Sequence, residues 1–112
     1  MAKSHKSLSC YVEATLRVID GRWKVLVLQQ LLTGTRRFGA LHRALPGISH
    51  RTLTKQLREL EADGILRRKV YAQVPPRVEY TLTRLGETLR PVLASMERWG
   101  EAFAHRLPAE QD

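Results

Sequence analysis

The segment from Ser49 to Asp63 holds the side chains whose types and spacing best suit a chemical task, and that task is recognition of a polyanion. Placed on a helical wheel at about 100° per residue, Leu53, Leu57 and Leu60 gather on one side. Arg51, Lys55, Arg58 and Glu59 take the opposite side, with Thr52 and Thr54 on the flanks. Arg51, Lys55 and Arg58 lie toward the N-terminal half, whereas Glu59, Glu61 and Asp63 lie toward the C-terminal end. The helix dipole favours the reverse order, by roughly 0.3–1 kcal/mol for each well-placed charge. Helix stability alone would not select this arrangement; an N-terminus that enters a groove lined by phosphates and base edges would. A solvated face with scattered charge is the plainer alternative.

On that reading the donors divide by reach. Arg51 and Lys55 can donate to guanine O6 and N7, and Thr54 can touch a thymine methyl group. His50 can meet a phosphate or a base edge, while Ser49 and Thr52 suit phosphate. Arg36 and Arg37 precede the region and would flank the backbone of a duplex. Arg77 directly follows Pro75-Pro76, and a guanidinium on a rigid tip suits a narrow minor groove; pairing with Glu79 is the alternative. Arg67, Arg68 and Lys69 are expected to divide between phosphate contacts and pairing with Glu61 or Asp63.

Composition points the same way. Nineteen Lys and Arg against eleven Asp and Glu leave a formal charge of +8 over 112 residues, a balance that attracts nucleic acid. Other chemistries find little support. Cys10 is the only cysteine, so no intrachain disulfide can form, and His5, His42, His50 and His105 are too scattered to suggest a metal site. There is no Gly-rich phosphate loop and no local Ser-His-acid or Cys-His arrangement, so neither an enzyme nor a cofactor is expected. No apolar run reaches the ~20 residues a membrane helix requires. The basic start is not followed by an apolar segment and cleavage site, so a cytoplasmic location is expected.

The elements that must position these residues follow from periodicity. Residues 1–8 are polar and expected to be flexible. Val12, Leu16 and Ile19 mark a helix from about Cys10 to Ile19, stopped at Asp20-Gly21 with Gly21 in the left-handed cap position. Arg22 to Leu32 is apolar around most of its circumference and therefore central to the core. After Thr33-Gly34-Thr35, Phe38, Leu41 and Leu45 line one face of a short helix broken at Pro46-Gly47. Ser49 then caps a helix that runs to Asp63, with Ile48 and Leu53 placed as a hydrophobic staple and Gly64 as the stop. Ile65 to Val74 and Arg77 to Leu82 read as two strands joined at the prolines, which cannot donate to a ladder. Thr83 caps a final long helix, about Arg84 to Leu107, with a local kink at Pro91.

Two helices joined by a short Gly-containing turn and followed by a hairpin constitute a winged helix-turn-helix. The expected fold is mainly α with a small β-hairpin wing. It forms one domain over 1–112, with the helix-turn-helix at about 37–63, the wing at 65–82 and a terminal helix at 83–107. That helix would be roughly 35 Å long, more than so small a core can cover. Its stripe of Leu85, Leu89, Val92 or Leu93, Met96, Trp99, Phe103 and Leu107 predicts a symmetric dimer that buries Leu89, Leu93, Met96, Trp99 and Phe103, although part of the stripe must fold back on the first two helices.

Several runs resemble the HxlR family of bacterial winged helix-turn-helix regulators, within the MarR-like superfamily. They include Asp20-Gly21-Arg22-Trp23-Lys24, Arg37-Phe38, Leu45-Pro46-Gly47-Ile48-Ser49 and Leu57-Arg58-Glu59-Leu60-Glu61. Val74-Pro75-Pro76-Arg77-Val78-Glu79-Tyr80 and Leu82-Thr83-Arg84-Leu85-Gly86 extend the resemblance to about residues 10–100. It implies a homodimer formed through the terminal helices, binding to a pseudo-palindromic operator in double-stranded DNA by the helix from Ser49, and wing contact through Arg77. Many members carry an N-terminal cysteine, usually followed by Pro, and some use it to sense oxidants or electrophiles. Cys10 matches it but is followed by Tyr11, so redox sensing and a small buried hydrophobe both remain open. A winged-helix module for protein interaction or RNA binding is the competing reading; it predicts a neutral outward face where Arg51, Lys55 and Arg58 stand.

Overall fold

Leucines at helical spacing on consecutive short segments leave one economical arrangement: the segments cross around a shared apolar centre and a small sheet closes one side. The computed structural model describes residues 8–106, in the order α1 (Leu8–Ile19), α2 (Arg22–Leu31), β1 (Arg36–Arg37), α3 (Phe38–Ala44), α4 (His50–Ala62), β2 (Leu66–Tyr71), β3 (Arg77–Leu82), α5 (Arg84–Glu87) and α6 (Arg90–Ala104). Val27, Leu28 and Leu31 of α2 meet Leu41 of α3 and Leu53, Leu57 and Leu60 of α4 in the core, with Ile65, Leu66, Tyr80 and Leu82 closing it from the sheet side. Ile48 and Leu53, placed on either side of the α4 cap, are both buried. Trp23, Val25, Leu26 and Leu32 are partly buried against the same core, so α2 occupies the centre that its sequence demanded.

The sheet has three strands in the order β1-β3-β2, all antiparallel. Sequence periodicity could show only the hairpin. The pair Arg36-Arg37, read as a lead-in to α3, is itself a strand paired with Tyr80 and Glu79. Two residues are too few to show an alternation. The first wing strand also ends earlier than expected, at Tyr71 rather than Val74, and the Val74–Pro75 peptide bond is cis. Gly21 has a positive φ of 86°, but its ψ of 167° lies outside the left-handed helical well. It opens α2 instead of closing α1.

The expected terminal helix is divided. Thr83 accepts from the Gly86 amide at 3.0 Å and caps the four-residue α5, and α6 begins only at Arg90. Pro91 therefore sits in the first turn of a new helix and makes no mid-helix kink; its missing N–H and the clash of its ring with the carbonyl four residues earlier explain why α5 cannot run on. The expected Leu107 end and most of the polar start lie outside the described residues, although Leu8 is already in α1. Leu93 is buried and Leu89 packs partly against the core. Leu93 thus belongs to the chain's own interior, while Leu89, expected in the same intersubunit seam, is half-buried against the core. The radius of gyration is 16.7 Å, against about 13 Å for a globular domain of about 100 residues. Ile19 is the only buried residue of α1 and Leu93 the only one of α6, so the terminal helices extend beyond the core.

The wing and α5 are locked at one point. The Thr83 amide donates to the Ile65 carbonyl at 3.0 Å and the Thr83 hydroxyl to the Gly64 carbonyl at 2.6 Å. Gly86 lies so close that an added Cβ would collide with the Ile65 carbonyl oxygen and press on Leu82. Gly86→Ala is expected to cost roughly 1–3 kcal/mol, read as a lower midpoint in urea denaturation.

Candidate nucleic-acid interface

The start of α4 is built by its own side chains. Ser49 adopts an extended backbone and accepts from the Thr52 amide at 3.0 Å, satisfying one of the unpaired donors of the first turn. The Ser49 hydroxyl proton goes to Thr52 Oγ1, also at 3.0 Å. Ser49 is thus spent on the cap, while Thr52 keeps its own hydroxyl proton for an incoming acceptor.

With Leu53, Leu57 and Leu60 inside, the rest of α4 turns outward. His50, Arg51, Thr54, Lys55, Arg58 and Glu59 line one shallow groove on its surface. Arg51 and Arg58 are exposed, and neither side chain has an ion pair or hydrogen bond among the described residues. Thr54 is half-buried and also borders a second cleft with Arg58, Glu61, Arg68 and Tyr80. His50 is held against α3: its ring lies 4.2 Å from that of His42 and 5.4 Å from that of Phe38, measured between centroids. That cluster tethers the first helical turn of α4.

Lys55 is not a free cation. Its Nζ lies 2.9 Å from Glu59 Oε2, one turn further along α4. The other oxygen of Glu59 is 2.7 Å from Lys24 Nζ. Lys24 is buried, unlike the other lysines and arginines among the described residues. Hydrogen bonds from Lys24 and then Lys55 hold the Glu59 carboxyl down at about 2, against an ordinary value near 4.5. The sequence reading missed Lys24, which sits between Trp23 and Val25 on the helix at the centre of the core; a cation there, where an unpaired charge is so costly, was the available signal.

The remaining basic residues separate into held and open groups. Arg36 donates to Thr33 Oγ1 at 2.6 Å, whereas Arg37 is exposed and unpaired at the start of α3. On the wing, Arg68 lies 3.6 Å from Glu61, one of its two expected partners. Arg67 is exposed, and Lys69, also exposed, has its ammonium 4.9 Å over the Tyr71 ring. Arg77 is not a projecting probe. Its guanidinium lies 3.9 Å over the Tyr71 ring, its Nε is 3.5 Å from Glu79, and it is half-buried on β3 opposite Tyr71. The cross-strand register places an aromatic ring under the guanidinium, and the acidic alternative considered from the sequence is the one observed. The exposed wing tip is Gln73, Val74, Pro75 and Pro76.

Away from the groove, Met96, Trp99 and Phe103 are 44%, 67% and 47% exposed on α6, with the Trp99 and Phe103 rings stacked at 5.1 Å. Leu8, Tyr11, Val12 and Leu16 are exposed on α1, a second apolar surface of which only Val12 and Leu16 were singled out by helical spacing. Cys10 is exposed on the same helix. Among the described residues no helix is long and apolar enough to cross a membrane.

Comparison with known proteins gives a consistent set. Residues 18–108 match the family model described as HxlR-like helix-turn-helix. The chain is 50% identical over 98 residues to the HTH-type transcriptional regulator YdeP of Bacillus subtilis strain 168, covering 88% of this chain and 77% of that one. It is 53% identical to the redox regulator HypR in its reduced form, with a TM-score of 0.79 over 81% of this chain and 90% of that one. It is 30% identical to the reduced transcriptional regulator YodB from B. subtilis, with a TM-score of 0.77 over 93% of this chain and 100% of the other.

Proposed function

The chain belongs to the HxlR-like helix-turn-helix family, whose members matched above are named transcriptional regulators, and on that premise we propose that it is a homodimeric regulator that binds duplex DNA sequence-specifically through α4. The observation that carries this reading is the exposed, unpaired state of Arg51 and Arg58 on a helix whose leucines are all turned inward. Arg51, one residue inside the capped N-terminus, serves as the base-reading residue, since a bidentate guanidinium–guanine pair contributes about 1–3 kcal/mol of discrimination. Thr54 and Arg58 support it along the groove. Arg37 and Thr52 are assigned to phosphate, with His50 locked beside them by the His42 and Phe38 rings. On the wing, Arg67 and Lys69 offer the exposed charge. Arg77 stiffens the hairpin over Tyr71, and its remaining donors are directed to the same backbone. Arg36 and Ser49 shape the scaffold.

The test is a footprint on duplexes selected by the protein from a random library. Protection of two half-sites separated by a whole number of helical turns is expected, because a two-fold dimer presents its helices that way. Arg51→Ala is expected to reduce the preference for selected over scrambled duplex. Arg37→Ala is expected to weaken both alike and to lower the salt slope by about 1. Equal affinity for every sequence would favour a non-specific or RNA-binding module instead.

The dimer follows from the apolar surface left on α1 and α6. Stacked aromatics exposed to this degree mark an association surface, and a second copy offers an identical face under two-fold symmetry. Trp99→Glu is expected to give monomers in analytical ultracentrifugation and to lose the paired footprint.

Control through a thiol is the remaining part of the proposal. Cys10 is exposed on α1, within this apolar region, and two similar structures are of a redox regulator and of a regulator solved both reduced and after diamide treatment. Oxidation there would alter the geometry of the paired helices. Diamide is expected to change operator affinity of the wild type and to leave Cys10→Ser unchanged.

A further inference from the structure

The two oxygens of the Glu59 carboxylate serve different masters. Oε1 is fixed by Lys24, which rises from α2 and is buried behind α4, out of reach of any ligand on the outer face. Oε2 meets Lys55, whose side chain is 68% exposed in the groove shared with Arg51 and Arg58. The spacing is i to i+4 with the lysine first, the less favourable orientation for a helical ion pair, so helix stability does not account for it. The carboxylate is 40% exposed, stays ionised far below neutrality, and places a fixed negative charge on the surface that phosphates must approach.

We propose that Glu59 is a specificity-determining residue of the α4 surface: anchored by Lys24, it restrains Lys55 and opposes phosphate, and so weakens binding to duplex DNA of arbitrary sequence more than binding to the selected operator. This rests on the functional reading above. In a non-specific complex most of the affinity comes from cations reaching phosphate, and Lys55 can do so only by leaving Glu59. When α4 lies in the major groove at its operator, base edges replace what is lost. An amino group of cytosine can donate to the outer carboxylate oxygen, and a guanine can accept from Lys55. A duplex without those groups in register bears the repulsion uncompensated. Because Lys24 holds the carboxylate still, it cannot simply swing away.

The experiment compares wild type, Glu59→Gln and Lys24→Met/Glu59→Gln, binding a duplex selected by the wild type and a scrambled duplex of equal length, across a salt series. The double variant removes the buried ammonium together with its partner, so a folding defect caused by an unpaired Lys24 is separated from the binding effect. Both variants are expected to bind the scrambled duplex roughly five- to tenfold more tightly near 0.1 M salt, with a slope steeper by about 0.9, as for one added phosphate contact. Affinity for the selected duplex is expected to change less than threefold, so the specificity ratio falls. In a Lys55→Gln background the effect of Glu59→Gln on the scrambled duplex is expected to shrink by more than half. A wild type that binds neither duplex overturns the functional reading itself. A wild type that discriminates while the variants keep its slope and ratio overturns this inference alone.

Discussion

Everything in the structure depends on Leu53, Leu57 and Leu60 being buried against α2. Those three contacts set the rotation of α4 about its own axis, and one helix cannot turn its leucines inward without turning His50, Arg51, Lys55 and Arg58 outward. Each fully buried leucine contributes about 1.5–3 kcal/mol relative to exposure, more than the charges on the outer face cost by opposing the helix dipole. The groove is thus presented by packing, and the polar face is what the core leaves over. The Ser49 cap and the His42–His50 contact then fix where along its length α4 begins, which decides which side chain stands first at the surface.

The parts legible in the sequence were those written in short-range periodicity or in single residues with strong backbone preferences. The inward face of α4, its Ser49 cap, the central position of α2 and the hairpin after Gly64 all belong to that class. What could not be read is non-local. Arg36 and Arg37 form a strand only because β3 lies beside them, and two residues carry no pattern of their own. The ion pair of Lys24 with Glu59 joins positions on different helices, so the outward face looked more cationic than it is. Lys55 is tempered by it, and Arg77 is tempered by Tyr71 and Glu79. Leu89 and Leu93 fit an apolar stripe equally well whether the stripe meets its own core or another chain, and only the break before Pro91 divides the two uses.

That break gives the C-terminal region two tasks. Up to Leu93 it completes the interior; from Met96 onward its apolar residues are exposed, as are those of α1. A chain with so small a centre closes its interior without α1 and most of α6, whose apolar side chains stay exposed. The same division explains the extended outline of the molecule, whose dimensions exceed those of a compact domain of similar length.

The junction at Thr83 has a mechanical implication. β3 passes straight into the capped turn of α5, which is bonded to the backbone at Gly64 and Ile65, the very residues that join α4 to β2. Only Thr88 and Leu89 intervene before α6. The reading helix, the hairpin and the root of the terminal helix are therefore tied together, and Arg90 carries the tie into α6, donating to Glu87 at 2.9 Å and to the Leu32 carbonyl at 3.1 Å while Leu93 stays buried in the core. In a pair of chains held by their terminal helices, so stiff a joint would transmit the geometry of the seam directly to the spacing of the two α4 helices.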